Sequence, residues 1–137
     1  MADASDAAAA ASQADLAGAQ QEMVEKRGYS FPEFEWLAEK DPAYEKARLD
    51  YAAMIYTREN PVLPVKYREI IAAVILAFRG HPTLDRHVRR ALREGATMQE
   101  VIEAFEVASV PGGMPVLHFA LPYLIEIDRE ESAKAGG

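Results

Sequence analysis

The 137-residue chain has no cysteine. That absence removes disulfides, thiolate nucleophiles, dithiol redox chemistry and zinc–thiolate sites together. Half of the residues are hydrophobic, yet no run approaches the ~18 unbroken apolar residues that a membrane span requires. The N-terminus shows no basic, apolar leader, so neither secretion nor membrane insertion is expected and the cytoplasm is the default compartment. Alternating strand patterns and Asn-Gly or Asp-Gly turns are also missing, which predicts an all-α fold. The chain has three histidines. None pairs with another at His-x-x-His or His-x-x-x-His spacing, so no metal is expected. A net charge of −7 argues against nucleic acid and anionic membranes as partners.

The charge that is present is uneven. From Lys66 to Arg93 there are seven positive and two negative side chains, so this segment is +5 and the rest of the −7 chain is −12. One basic segment in an acidic protein suits a small anionic ligand. It equally suits a cationic face that meets an acidic neighbouring subunit.

Along the chain, residues 1–19 form an Ala/Ser/Asp/Gln tract with too little apolar bulk for a core, read as a flexible arm. Residues 20–130 read as a single helical domain, a compact bundle of about six helices, and residues 131–137 as a polar tail. Ser30 and Pro32 predict a short helix burying Phe34, Trp36 or Leu37. Asp41 and Pro42 predict another, to about Arg58, with Tyr44, Ala47, Tyr51, Met54 and Ile55 inward. Val65 to Phe78 is the most hydrophobic stretch and reads as a central helix. Ile70, Ile71, Val74, Ile75 and Phe78 make its apolar face, and Glu69 lies beside the buried side. Arg79-Gly80-His81-Pro82 is a tight corner. Thr97 to Glu100 is a capping box for a helix through about Ser109. Val110 to Pro115 reads as a glycine-permissive loop, and a last helix spans about Val116 to Glu130, with Pro122 as a possible kink.

The helix from Thr83 to Glu94 carries the most specific signal. Leu84, His87, Val88, Ala91 and Leu92 fall on one apolar face, and His87 is the only ionisable residue there. Arg86, Arg89, Arg90 and Arg93 recur at the same spacing and are assigned to the opposite side, toward solvent or a neighbouring subunit.

The order of signals from Leu63 onward resembles the carboxymuconolactone decarboxylase family, which includes the alkylhydroperoxidase D-like proteins. The matching pieces are Leu63-Pro64, Arg68-Glu69-Ile70-Ile71, His87 with Ala91-Leu92, Gly95-Ala96-Thr97, Glu100-Val101-Ile102-Glu103 and Gly113-Met114-Pro115. The resemblance implies a compact helical fold that assembles into trimers or hexamers, with the site among central helices near a subunit interface. The family's peroxidase-like branch carries a Cys-x-x-Cys pair ahead of the histidine. Gly80 and Thr83 occupy those positions here, so peroxide attack by a thiolate is excluded. The remaining branch implies a cofactor-free decarboxylase acting on a γ-lactone dicarboxylate from aromatic catabolism. The interval from Glu69 to His87 is about one residue shorter than is usual in that family.

Decarboxylation of such a lactone requires a group that holds a carboxylate, a donor for charge on the carbonyl oxygen, and a proton source for carbon. His87 is the first choice for moving the proton, with Glu69 orienting it and His81 in the corner as a further catalytic candidate. Arg79, His118 and Gly113 are the candidate substrate contacts: an anchor beside the corner, a histidine early in the last helix, and backbone N–H groups of the glycine loop. Each has a plainer explanation: a core histidine bonded to backbone, a first-turn glutamate, a solvated turn or a surface residue. An isomerase or hydrolase acting on a related ring-cleavage product, and a non-catalytic oligomeric ligand-binding protein, are the alternatives.

Overall fold

A computed structural model describes residues 4–137. Residues 1–3, the start of the tract read as an arm, lie outside the described residues. The described residues form seven helices and no strand, as expected for class and close to the expected number. They divide into two compact units, Met1–Asn60 and Pro61–Gly137.

The first unit contains α1 (Ala4–Arg27), α2 (Pro32–Lys40) and α3 (Pro42–Tyr56). Most of the Ala-rich tract is helical within α1, in keeping with the helix propensity of alanine, and Leu16 is buried. Phe31, not Ser30, occupies the cap position of α2 and offers no side-chain hydrogen bond. Asp41 caps α3 as expected, accepting from the Tyr44 N–H at 3.0 Å. The face of α3 that turns inward is not the predicted one. Glu45 and Leu49 are buried, whereas Tyr44, Tyr51, Met54 and Ile55 are exposed. Glu45 tolerates burial because Arg48 grips both its oxygens, at 2.6 and 2.7 Å, which offsets part of the cost of taking the charge out of water. On α2, Trp36 is exposed too.

The second unit contains α4 (Val65–Phe78), α5 (Leu84–Arg93), α6 (Met98–Gly112) and α7 (Met114–Ala135). α4 packs most extensively on α5, and α6 on α7. Ala73, Ala77 and Ala91 are at most 3% exposed, and side chains this small let backbones come close. Leu84, Phe105 and Ile127 fill the remaining core volume. α4 has the predicted bounds, but of its apolar face only one part is covered. Ile70 is buried, while Ile71, Ile75 and Phe78 stand exposed.

Two ends run further than the sequence suggests. α6 continues through Pro111 to Gly112, so the expected loop shrinks to a break at Gly113, whose φ of 80° ends the helix. Pro111 falls in the last turn, where its missing N–H costs a single bond. α7 continues through the expected polar tail to Ala135.

Candidate active site

Glu69 lies one turn into α4, in line with Ala73 and Ala77 at i+4 and i+8. That stripe is buried, and α5 is the principal neighbour of α4. On α5, His87 and Arg90 are one turn apart and both buried. The result is a three-membered polar cluster. One oxygen of Glu69 lies 2.7 Å from His87 Nδ1 and the other accepts from an Arg90 nitrogen at 3.1 Å. Glu69 is 0% exposed, His87 7% and Arg90 3%. The short Glu69–His87 interval does not prevent this meeting: Gly80, with a φ of 65°, turns the chain between the two helices.

The cluster has a definite polarity. A carboxylate accepts only, so the contact with Glu69 places the proton of a neutral His87 on Nδ1 and makes Nε2 the basic nitrogen. Arg90 supplies the positive charge that offsets burial of the carboxylate. This corrects the assignment of Arg90 to the solvent side. Its i, i+3 spacing from His87 was the signal available in the sequence, and three further arginines at helical spacing obscured it.

Beside Glu69 in the chain, Arg68 has all three guanidinium nitrogens buried without a hydrogen-bond partner among the described residues. Such a group carries a large desolvation penalty and favours the arrival of an anion.

The other candidates are placed differently. His81 is exposed and its Nδ1 lies 2.8 Å from the Thr83 hydroxyl. Arg79 is the exposed C-cap residue of α4. His118 is exposed on the first turns of α7, and Gly113 is the single residue between α6 and α7. No hydrogen bond of the described residues joins any of the four to Glu69. No three His, Asp or Glu side chains converge as a metal site among the described residues.

Two ion pairs brace the surrounding helices. Arg89 of α5 makes a two-pronged contact with Glu130 of α7. That hydrogen bond holds the Glu130 carboxyl below its ordinary range and raises the Arg89 guanidinium. Lys66 at the start of α4 reaches Glu100 at the start of α6, at 2.8 Å. The Lys66 hydrogen bond, followed by the Thr97 N–H, lowers Glu100.

The structure is similar to a crystal structure from Burkholderia xenovorans LB400 described as a "putative carboxymuconolactone decarboxylase". The two share 25% identity with a TM-score of 0.76, over 90% of this chain and 98% of that one. No curated protein matches the sequence, and no helix among the described residues is long and apolar enough to cross a membrane. The sequence model of the carboxymuconolactone decarboxylase family matches residues 42–126, which is more than half of the chain and includes Glu69, His87 and Arg90. The chain therefore belongs to the carboxymuconolactone decarboxylase family.

Proposed function

We propose that the protein is a cofactor-free carboxy-lyase resembling 4-carboxymuconolactone decarboxylase, acting on a small anionic lactone or ring-cleavage product of aromatic catabolism. The observation that carries the reading is the buried Glu69 carboxylate shared between His87 at 2.7 Å and Arg90 at 3.1 Å. In the proposed reaction the C–C bond to the substrate's carboxylate breaks and CO₂ leaves. The electron pair delocalises toward the lactone carbonyl. His87 passes a proton to carbon through Nε2 while Glu69 holds the ring by Nδ1. Arg90 holds Glu69 in place through its hydrogen bond to the second carboxylate oxygen. Arg68 is the best-supported anchor for a substrate carboxylate because its buried nitrogens have no acceptor among the described residues; Arg79 is the alternative anchor.

The proposed setting is a cytoplasmic homo-oligomer, a trimer or hexamer. Ile71, Ile75 and Phe78 form an exposed stripe on α4, and Met114, Leu121 and Ile125 form another on α7. Stripes of this kind on a small protein mark surfaces that another chain covers.

The test is incubation of purified protein with carboxymuconolactone in the presence of a chelator. Release of CO₂ with loss of the substrate is the expected result. Consumption without CO₂ would replace the lyase by an isomerase or hydrolase. No turnover across a panel of ring-cleavage lactones would leave a ligand-binding protein.

A further inference from the structure

The first unit holds a cavity of about 280 Å³ that shares no residue with the Glu69 cluster. It arises because α3 packs against both α1 and α2, while those two helices touch each other little. Met23 of α1, Phe31 of the joint that follows, Phe34 of α2, and Leu49 and Ala52 of α3 line it, and the wall is chiefly apolar. An apolar cavity of about 150 Å³ already takes one benzene ring, so a substituted single ring fits.

The charged side chains on the wall balance. They are two arginines, Arg27 and Arg48, and two glutamates, Glu35 and Glu45. Glu45 is 1% exposed and Arg48 holds both its oxygens, at 2.6 and 2.7 Å. Arg27 donates to the Tyr29 hydroxyl and lies over the Tyr29 and Tyr56 rings at 4.8 and 4.2 Å. Glu35 is exposed, with the Ser30 hydroxyl 3.5 Å away. The wall presents no net charge, so an ion of either sign would give up its hydration without a counter-charge in return. The ligand that suits such a wall is neutral.

The rings on the wall are already ordered. Phe31 stands edge-on to Tyr29 at 5.4 Å and 78°, and to Phe34 at 5.9 Å and 87°. Edge-to-face pairs are a favoured ring geometry that adds to the gain from buried area, and a further ring can extend the same array. Because the wall is held this way beforehand, little ordering is left for the ligand to bring about.

We propose that this cavity binds a neutral molecule with a single aromatic ring. The ring meets Phe31, Phe34 and Leu49, and a polar substituent turns to the exposed side, where Gln21 and Ser30 stand.

The experiment titrates the full chain with benzyl alcohol, benzoate and benzylammonium, followed by backbone amide shifts in NMR. The three probes have nearly one shape and three charges. Expected are saturable shifts for benzyl alcohol centred on residues 20–52, with both ions binding about ten-fold or more weaker. Cyclohexylmethanol, which keeps the bulk and loses the aromatic face, should bind about three-fold or more weaker. Ala52→Ile, which fills the cavity, should abolish binding of benzyl alcohol while thermal unfolding stays cooperative. Should that variant fail to fold, the comparison of the four probes on the natural chain carries the test. Any of the other three probes binding as tightly as benzyl alcohol, undiminished binding by a folded Ala52→Ile, shifts centred on Glu69 and His87, or no saturation would each overturn the proposal. The outcome is independent of whether the Glu69 cluster is catalytic.

Discussion

Glu69 and His87 stand 18 residues apart in the chain, yet a carboxylate oxygen and Nδ1 meet at 2.7 Å in the protein interior. The contact is made by two helices whose facing alanines let the backbones approach, and the second oxygen of Glu69 is taken by Arg90.

Removing one member of this cluster leaves the others buried and mismatched. Arg90→Met should destabilise the protein by about 3–5 kcal/mol, since it strands a fully buried carboxylate. Glu69→Gln/Arg90→Met should cost less than the two single changes summed, because neither charge is then left alone. Denaturant melts of the four proteins measure this. Additivity would show that the two side chains do not interact. His87→Ala, if the proposed reaction is right, should lower kcat by roughly 10²–10⁴.

The arginines separate by kinetic signature. Arg68→Gln should raise KM with kcat changed little, as expected for loss of a group that holds the substrate equally in ground and transition states. Arg79→Gln should do so weakly, and His81→Ala should alter either constant by less than about three-fold, being exposed and engaged with Thr83. A large kcat loss in His81→Ala would move the site to the corner.

The α6 start offers a clean stability test. Thr97 Oγ1 accepts from the Glu100 N–H at 3.0 Å and Glu100 returns the bond to the Thr97 N–H at 2.8 Å. Thr97→Ala should cost about 1 kcal/mol, read as a lowered melting temperature with an unchanged circular dichroism spectrum.

Acid sensitivity follows from Glu100 and Glu130. Both carboxyls are held below the ordinary range, Glu100 chiefly by the Lys66 hydrogen bond and Glu130 chiefly by that of Arg89. A depressed carboxyl contributes stability above its unfolded value, about 4.3, and loses it as pH falls through the folded value. Stability should therefore drop below about pH 4.3, and Glu130→Gln should flatten part of that drop. Melting temperature against pH for both proteins measures it.

The exposed stripes predict association. Ile75→Lys together with Phe78→Lys should convert an oligomer to monomer in light scattering without loss of helix content, because both side chains are more than half exposed in the single chain. A natural chain that is monomeric at high concentration would remove the basis for a trimer or hexamer.

The sequence alone determined the all-helical class, the bounds of α4, the Asp41 cap and the Thr97 capping box, because period, cap chemistry and proline placement are local effects. It also pointed to His87 and Glu69 as partners, helped by the family resemblance. It placed the inward faces of α5 and α6 but not that of α3. On α3 the oily stripe of Tyr51 and Met54 lies outside while Glu45 is buried, since Arg48 and Phe34 make that carboxylate acceptable inside. It did not find Arg90, because four arginines at helical spacing look alike until a buried carboxylate selects one. Nor did it foresee α1 reaching back through the alanine tract, or α6 and α7 meeting at Gly113 alone. Those outcomes depend on what each helix packs against, and packing partners distant in sequence are set only when the chain is folded.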